Sequence, residues 1–184
     1  MIIGQIKEIR KLRAARIQPF LPLVRFSVLD NLQAIRQRLF AHIVLPVDFC
    51  FVGRGPLACI CYDDSRAIIY AHQVLNHEEV PPIVMDLLFV HEMLHLEIPS
   101  RMVDGRDTQH PPEFQEREKE LFPGRAEAWE WVVGNLWSCL KFRSRLKQID
   151  VMPNWKKHWR NQSLSWPMTW KTKRDFEAVC ESGW

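Results

Sequence analysis

The sequence lacks the features that would send it into or across a membrane. No run of apolar residues approaches the roughly 18 that a membrane span requires. Basic side chains are spread along Met1–Arg16, whereas a signal peptide groups its positive charge ahead of an uninterrupted apolar stretch. The five cysteines are odd in number and have no framework spacing, which favours a reducing compartment. We therefore expect a cytoplasmic protein with no membrane partner.

The length of 184 residues suits one domain that can bury a full hydrophobic core. We expect this single domain, 1–184, to comprise N-terminal helices over 1–42, a central core over 43–150 and a basic segment rich in tryptophan over 151–184. The formal net charge of +3 is unevenly distributed, because an acidic middle lies between two basic ends.

Periodicity predicts a group of short strands together with several helices. Three β-like runs follow one another and are expected to form an antiparallel meander or something close to it: Val44–Val52, Leu57–Tyr62 and Ala67–Val74. Helical patterns cover five further stretches: Met1–Ala15, Val28–Phe40, Ile83–Ile98, Pro111–Leu121 and Arg125–Gln148.

The stretch Ile83–Ile98 is apolar on nearly every side and therefore reads as a core helix, yet it contains His91, Glu92 and His95. At 100° per residue the two histidines lie 40° apart, one turn removed, with the glutamate at the edge of the same face. This is the HExxH pattern, in which two imidazoles hold Zn²⁺ and the glutamate takes a proton from the water that the metal activates. Structural core histidines would instead leave several buried polar groups in need of partners.

Two histidines do not complete a catalytic zinc site, which usually has three protein ligands and an open position. His110 follows a polar loop and directly precedes the next predicted helix, from which its side chain can point back at the first. Glu113 and Glu116 on that helix would instead give a site with two histidines and one glutamate. A thiolate from Cys59 or Cys61 is a further candidate, although we favour core packing for this pair.

The segments VHEMLHLEIPS, residues 90–100, and HPPEFQEREKELFPG, residues 110–124, resemble the SprT-like and related minimal zinc metallopeptidases. The resemblance covers roughly residues 55–135. It implies a zincin-like α+β fold, in which a small antiparallel or mixed sheet packs on the HExxH helix with flanking helices. It further implies His110 as third ligand and Glu92 as general base. It also implies that the strand Ala67–Val74 is the sheet edge on which an extended substrate pairs. Pro111 stands where the pattern usually has glycine, and no zinc-ribbon cysteine set follows, so the substrate is not carried over.

The leading hypothesis is therefore a zinc-dependent metallopeptidase that acts on a protein or peptide. A zinc hydrolase of a non-peptide substrate would use the same chemistry. The third hypothesis is a non-catalytic module that binds protein or nucleic acid through its basic ends, since aromatic rings interleaved with lysine and arginine can stack on bases and neutralise phosphate. For the tryptophans of 151–184 we favour packing on the preceding long helix, with at most weak nucleic-acid contact.

Overall fold

The structure, a computed structural model, describes residues 23–103, 106–143 and 148–159. The helix expected over Met1–Ala15 lies outside the described residues, as does most of the basic segment beyond Trp159. None of the helices in the described ranges is both long and apolar enough to span a lipid bilayer.

The described chain is a mixture of helices and short strands. The helices are α1 (Val28–Leu39), α2 (Pro82–Glu97), α3 (Pro112–Leu121), α4 (Arg125–Leu136) and α5 (Trp155–His158). The strands are β1 (Val47–Val52), β2 (Ala58–Tyr62), β3 (Ala67–His72), β4 (Arg101–Val103), β5 (Arg106–Thr108), β6 (Leu140–Arg143) and β7 (Gln148–Val151). An α+β fold was expected, and this is the class observed.

The three-stranded sheet has the order β1–β3–β2 and is mixed. β2 and β3 form the expected antiparallel hairpin, whose turn is fixed by the Asp63 carboxylate, which accepts hydrogen bonds from the backbone N–H groups of Ser65 and Arg66. β1, however, pairs with β3 in parallel, with Val47 opposite Ala67. The antiparallel meander was therefore wrong. So was the expectation that the strand beginning at Ala67 is a sheet edge, because β3 lies in the centre.

One face of the sheet packs on α2, and the other face carries Cys50, Cys59 and Cys61. On the α2 side, Phe49 of β1 meets Phe89 of α2 edge to face, with ring centroids 5.4 Å apart. α2 is buried along most of its length, and its residues from Leu87 to Leu94 are all buried. Proline at the first helical position begins α2, where its missing N–H leaves no helical hydrogen bond unmade. The apolar face of the sheet thus holds a central helix in a fixed place.

The long helix expected over Arg125–Gln148 is about half that length. Trp129, Val132, Val133 and Leu136 are buried on one side of α4. The helix ends at Leu136, a short 3₁₀ turn follows, and the chain then forms the β6–β7 hairpin. The hairpin is favoured over a longer helix because Ile149 and Val151, two residues apart in a strand, are both buried on the same face. β7 also pairs with the segment before β2, since the Leu57 N–H donates to the Ile149 carbonyl at 2.8 Å.

The two described tryptophans of the basic segment pack on the protein, although not on a long helix. The Trp155 ring lies 5.6 Å from the ring of His72, and the Trp159 ring lies 4.8 Å from that of His77. Both side chains are partly buried against the core. Nucleic-acid contact through the basic ends stays a prediction.

Candidate metal centre

α2 presents His91 and His95 one turn apart on the same side. The two rings meet edge to face, with centroids 5.1 Å apart. His91 is 2% exposed and lies deep in the core, whereas His95 is half-buried near the end of the helix. The one-turn spacing thus places two imidazoles together, as the sequence predicts.

His110 comes to the same place from outside the helix. The β4–β5 hairpin returns the chain after α2, and His110 stands directly before Pro111, which caps α3. Its side chain is buried, and its ring lies 4.8 Å from that of His91 and 4.9 Å from that of His95. The buried ring of Phe114, in the first turn of α3, lies 4.8 to 5.1 Å from all three imidazoles and packs against one side of the group.

The three histidines form a group that could hold a metal ion. Their potential ligand atoms all lie within 4.8 Å of one another. The Nε2 atoms of His95 and His110 are 3.2 Å apart. Two nitrogens that each lie about 2.05 Å from a tetrahedral ion would be about 3.3 Å apart. Burial, aided by His91, holds the pKa of His95 well below its ordinary value, so this imidazole stays neutral and keeps a lone pair for a metal.

A buried carboxylate orients the first of these histidines. The Nδ1 of His91 lies 2.7 Å from one oxygen of Glu118, and the Nε of Arg125 donates to the other oxygen at 2.7 Å. Glu118 is 1% exposed. Burial alone would raise the pKa of Glu118, yet the hydrogen bond with His91 and the Arg125 guanidinium hold it below its ordinary value. When the Nδ1–H of His91 donates a hydrogen bond to the ionised Glu118, the Nε2 lone pair of His91 is left for a metal.

Sequence reasoning considered Glu113 and Glu116, which both precede Glu118 on α3, and missed Glu118 itself. The signal was present in the helical period, because Glu118 lies one turn after Phe114 and these two are the buried residues of α3. Arg125 begins α4 and is also buried. A charged residue on the apolar face of an otherwise charged helix was the pattern that could have revealed it.

Glu92 is buried beside the histidines but is not one of the group that could hold a metal among the described residues. Its carboxylate accepts a hydrogen bond from the backbone N–H of Ile60 in β2. Burial raises the pKa of Glu92 to about 7, against the opposing effects of His91 and of the Ile60 N–H. This side chain can therefore exchange a proton near neutral pH.

The hydrogen bond to Glu92 shows which edge of the sheet faces the site. In the β2–β3 hairpin, His72 bonds to Leu57 and Asp63 bonds to Arg66. Hydrogen-bonded pairs alternate along an antiparallel ladder, so the backbone groups of Ala58, Ile60 and Tyr62 point away from β3. The outer edge of β2 therefore faces Glu92.

The remaining candidate ligands lie elsewhere. Glu113 is only partly buried and pairs with Arg101 at 2.7 Å, and Glu116 is exposed. Cys59 and Cys61 lie on the sheet face opposite to α2, where they pack against Val52 and Tyr70. The structure thus brings together His91, His95 and His110, with Glu92 beside them.

No match to this chain was found among protein-family models, curated proteins or solved structures. The resemblance to SprT-like metallopeptidases therefore rests on the two motif segments alone, and the zincin-like relationship stays a prediction.

Proposed function

We propose that this protein is a zinc-dependent hydrolase of peptide bonds. The observation that carries the proposal is the set of three imidazoles with a buried glutamate beside it, next to the edge of β2, along which no described strand pairs over Ala58–Tyr62. Three imidazole nitrogen donors suit zinc, and a fourth position left to water or substrate is typical of catalytic rather than structural zinc sites. Zinc bound there would act as a Lewis acid on a carbonyl and lower the pKa of water.

In this proposal Glu92 moves the proton. Its carboxylate takes a proton from the attacking water and delivers it to the leaving amine, for which a pKa of about 7 is well placed. The Ile60 N–H fixes the orientation of the carboxylate in both steps. Glu118, held by Arg125, keeps the His91 ring in the tautomer and orientation that a metal requires.

The edge of β2 supplies a place for an extended substrate. A peptide that pairs with the outward backbone groups of Ala58 and Tyr62, and with the carbonyl of Ile60, lies alongside Glu92, which keeps the Ile60 N–H. This replaces the expectation that the strand beginning at Ala67 would receive the substrate. The amide-bond chemistry and the edge together favour peptides over other carbonyl compounds.

The test is metal analysis combined with peptide hydrolysis on purified variants. We expect one zinc per wild-type chain and loss of this zinc in His95→Ala and His110→Ala. Glu92→Gln should keep zinc but lose about 10²- to 10⁴-fold in hydrolysis of an internally quenched peptide, because its amide cannot accept the proton. Glu116→Gln, an exposed change, is the matched control and should alter neither quantity.

Each outcome has a defined meaning. A wild-type chain that binds no zinc under chelator-free purification refutes the proposal. Loss of zinc from Glu92→Gln would mean that Glu92 is a ligand rather than a base. Zinc together with Glu92-dependent cleavage of esters but not of peptides would assign the protein to hydrolases of another substrate.

A further inference from the structure

An open cavity of ≈ 450 Å³ lies beside the C-terminal ends of α2 and β2. Residues 42–45, in the loop after α1, line one side of it, and Tyr62, Leu96 and Glu97 line the other. Its volume is within the range of about 300–1,000 Å³ that is usual for ligand pockets. Val44 is 90% exposed and therefore stands at the mouth of the cavity.

The position of the cavity relative to Glu92 follows from two elements that run side by side. Ile60 bonds to Glu92, and Tyr62 is two residues further along β2, about 7 Å away. Leu96 is four residues after Glu92 on α2, on the same face and about 6 Å away. The cavity therefore lies about the same distance from Glu92 along β2 as along α2. Two residues of an extended peptide span this distance.

The lining indicates what kind of side chain the cavity takes. Ile43, Val44, Leu45, Tyr62 and Leu96 make it predominantly apolar. Its acidic residue, Glu97, is already engaged, by His42 at 3.3 Å and by Arg117 of α3 at 3.2 Å. Because this carboxylate has a guanidinium partner, it offers little attraction to a lysine or arginine of a ligand.

We propose that this cavity is a specificity pocket that binds an apolar side chain of the peptide substrate, two residues from the bond that reacts at Glu92. A substrate antiparallel to β2 would place this side chain on the N-terminal side of the reacting bond. The inference rests on the proposed peptidase function, which it deepens by naming the substrate class.

The test uses the full-length, zinc-loaded chain and capped hexa-alanine peptides that carry one leucine, phenylalanine, lysine or glutamate at each position in turn. We expect leucine or phenylalanine at one position to raise kcat/KM by about 10- to 100-fold over lysine or glutamate. Val44→Asp should reduce this preference at least about tenfold, since it places a charge at the mouth of the pocket. Leu29→Asp is the matched control, because Leu29 is an exposed aliphatic residue of α1 outside the cavity, and its profile should equal that of wild type.

Binding is measured separately from cleavage, by following the backbone amide NMR signals of Ile43–Leu45 in Glu92→Gln during titration with the same peptides. The pocket is supported if the leucine peptide shifts these signals in Glu92→Gln but not in the double variant that also carries Val44→Asp. If this binding is seen and no peptide is cleaved by the wild type, only the proposed function fails. If wild type and Val44→Asp cleave the peptides with the same side-chain preference, the pocket is refuted and the proposed function is not. Absence of both binding and cleavage overturns both.

Discussion

Substitution of Glu118 by glutamine tests whether the buried carboxylate governs metal binding. The change keeps the size of the side chain but removes its charge. The amide can also present its NH₂ group to the Nδ1 of His91, which would move the imidazole proton to Nε2, the atom that a metal needs. Loss of such an orienting partner typically weakens metal binding by about 10- to 100-fold, or about 1.4 to 2.7 kcal/mol.

The same change also affects folding, so the two effects must be measured apart. Arg125, which is 8% exposed, loses the charge of its carboxylate partner, and breaking a buried ion pair costs about 3–5 kcal/mol of unfolding free energy. Urea unfolding of the metal-free protein gives this stability loss. Competition with a chromophoric zinc chelator, under conditions where both proteins are folded, gives the metal affinity.

Glu116→Gln, two residues away on the exposed side of α3, should change neither measurement. A Glu118→Gln protein that is less stable but binds zinc within about twofold of wild type would refute the reasoning, since a partner that orients His91 must act on the affinity. The Glu118 carboxylate would then serve the fold alone.

Two further predictions concern the metal-free protein. Because the pKa of Glu92 is about 7 when folded and lower when unfolded, its contribution to stability is present below its ordinary pKa and is lost as pH rises through 7, by about 3 kcal/mol in total. Urea unfolding at pH 5 and pH 8 should therefore show a larger loss in wild type than in Glu92→Gln, and equal losses would contradict the burial of an ionisable carboxyl here. Trp129 is 1% exposed in the core, so Trp129→Ala should lower the free energy of unfolding by about 3–5 kcal/mol, whereas the exposed Trp137→Ala should cost under about 1 kcal/mol. Equal effects in the two tryptophan variants would mean that Trp129 is not a core residue.

The site was more accessible to sequence reasoning than the sheet that supports it. The spacing of His91 and His95 is a local property of one helix, and the position of His110 before a proline-led helix made it a candidate without any knowledge of the fold. The order of strands is different in kind. Alternation of apolar residues tells which face of a strand is buried, but not which strand lies beside it, so the parallel pairing of Val47 with Ala67 could not be derived.

Long-range partners account for the other differences. Glu118 acquires its role only because α3 and α4 bring it between His91 and Arg125, two contacts separated by 27 and 7 residues along the chain. The helical periodicity of the sequence continues past Leu136, but strand pairing with Gly55 and Leu57 stabilises a hairpin there instead. Local propensity set the start of α4, and a distant strand set its end.

The pairing of β7 with the segment before β2 also limits what can be recognised. Val151 and Ile149 already bond to Gly55 and Leu57, so the part of this edge along which no described strand pairs begins at Ala58 and ends at Tyr62. Five residues of strand measure about 17 Å. A partner chain can pair with this edge over that length only. A short extended loop or a frayed terminus can therefore bind there, whereas a strand already paired within a folded sheet cannot.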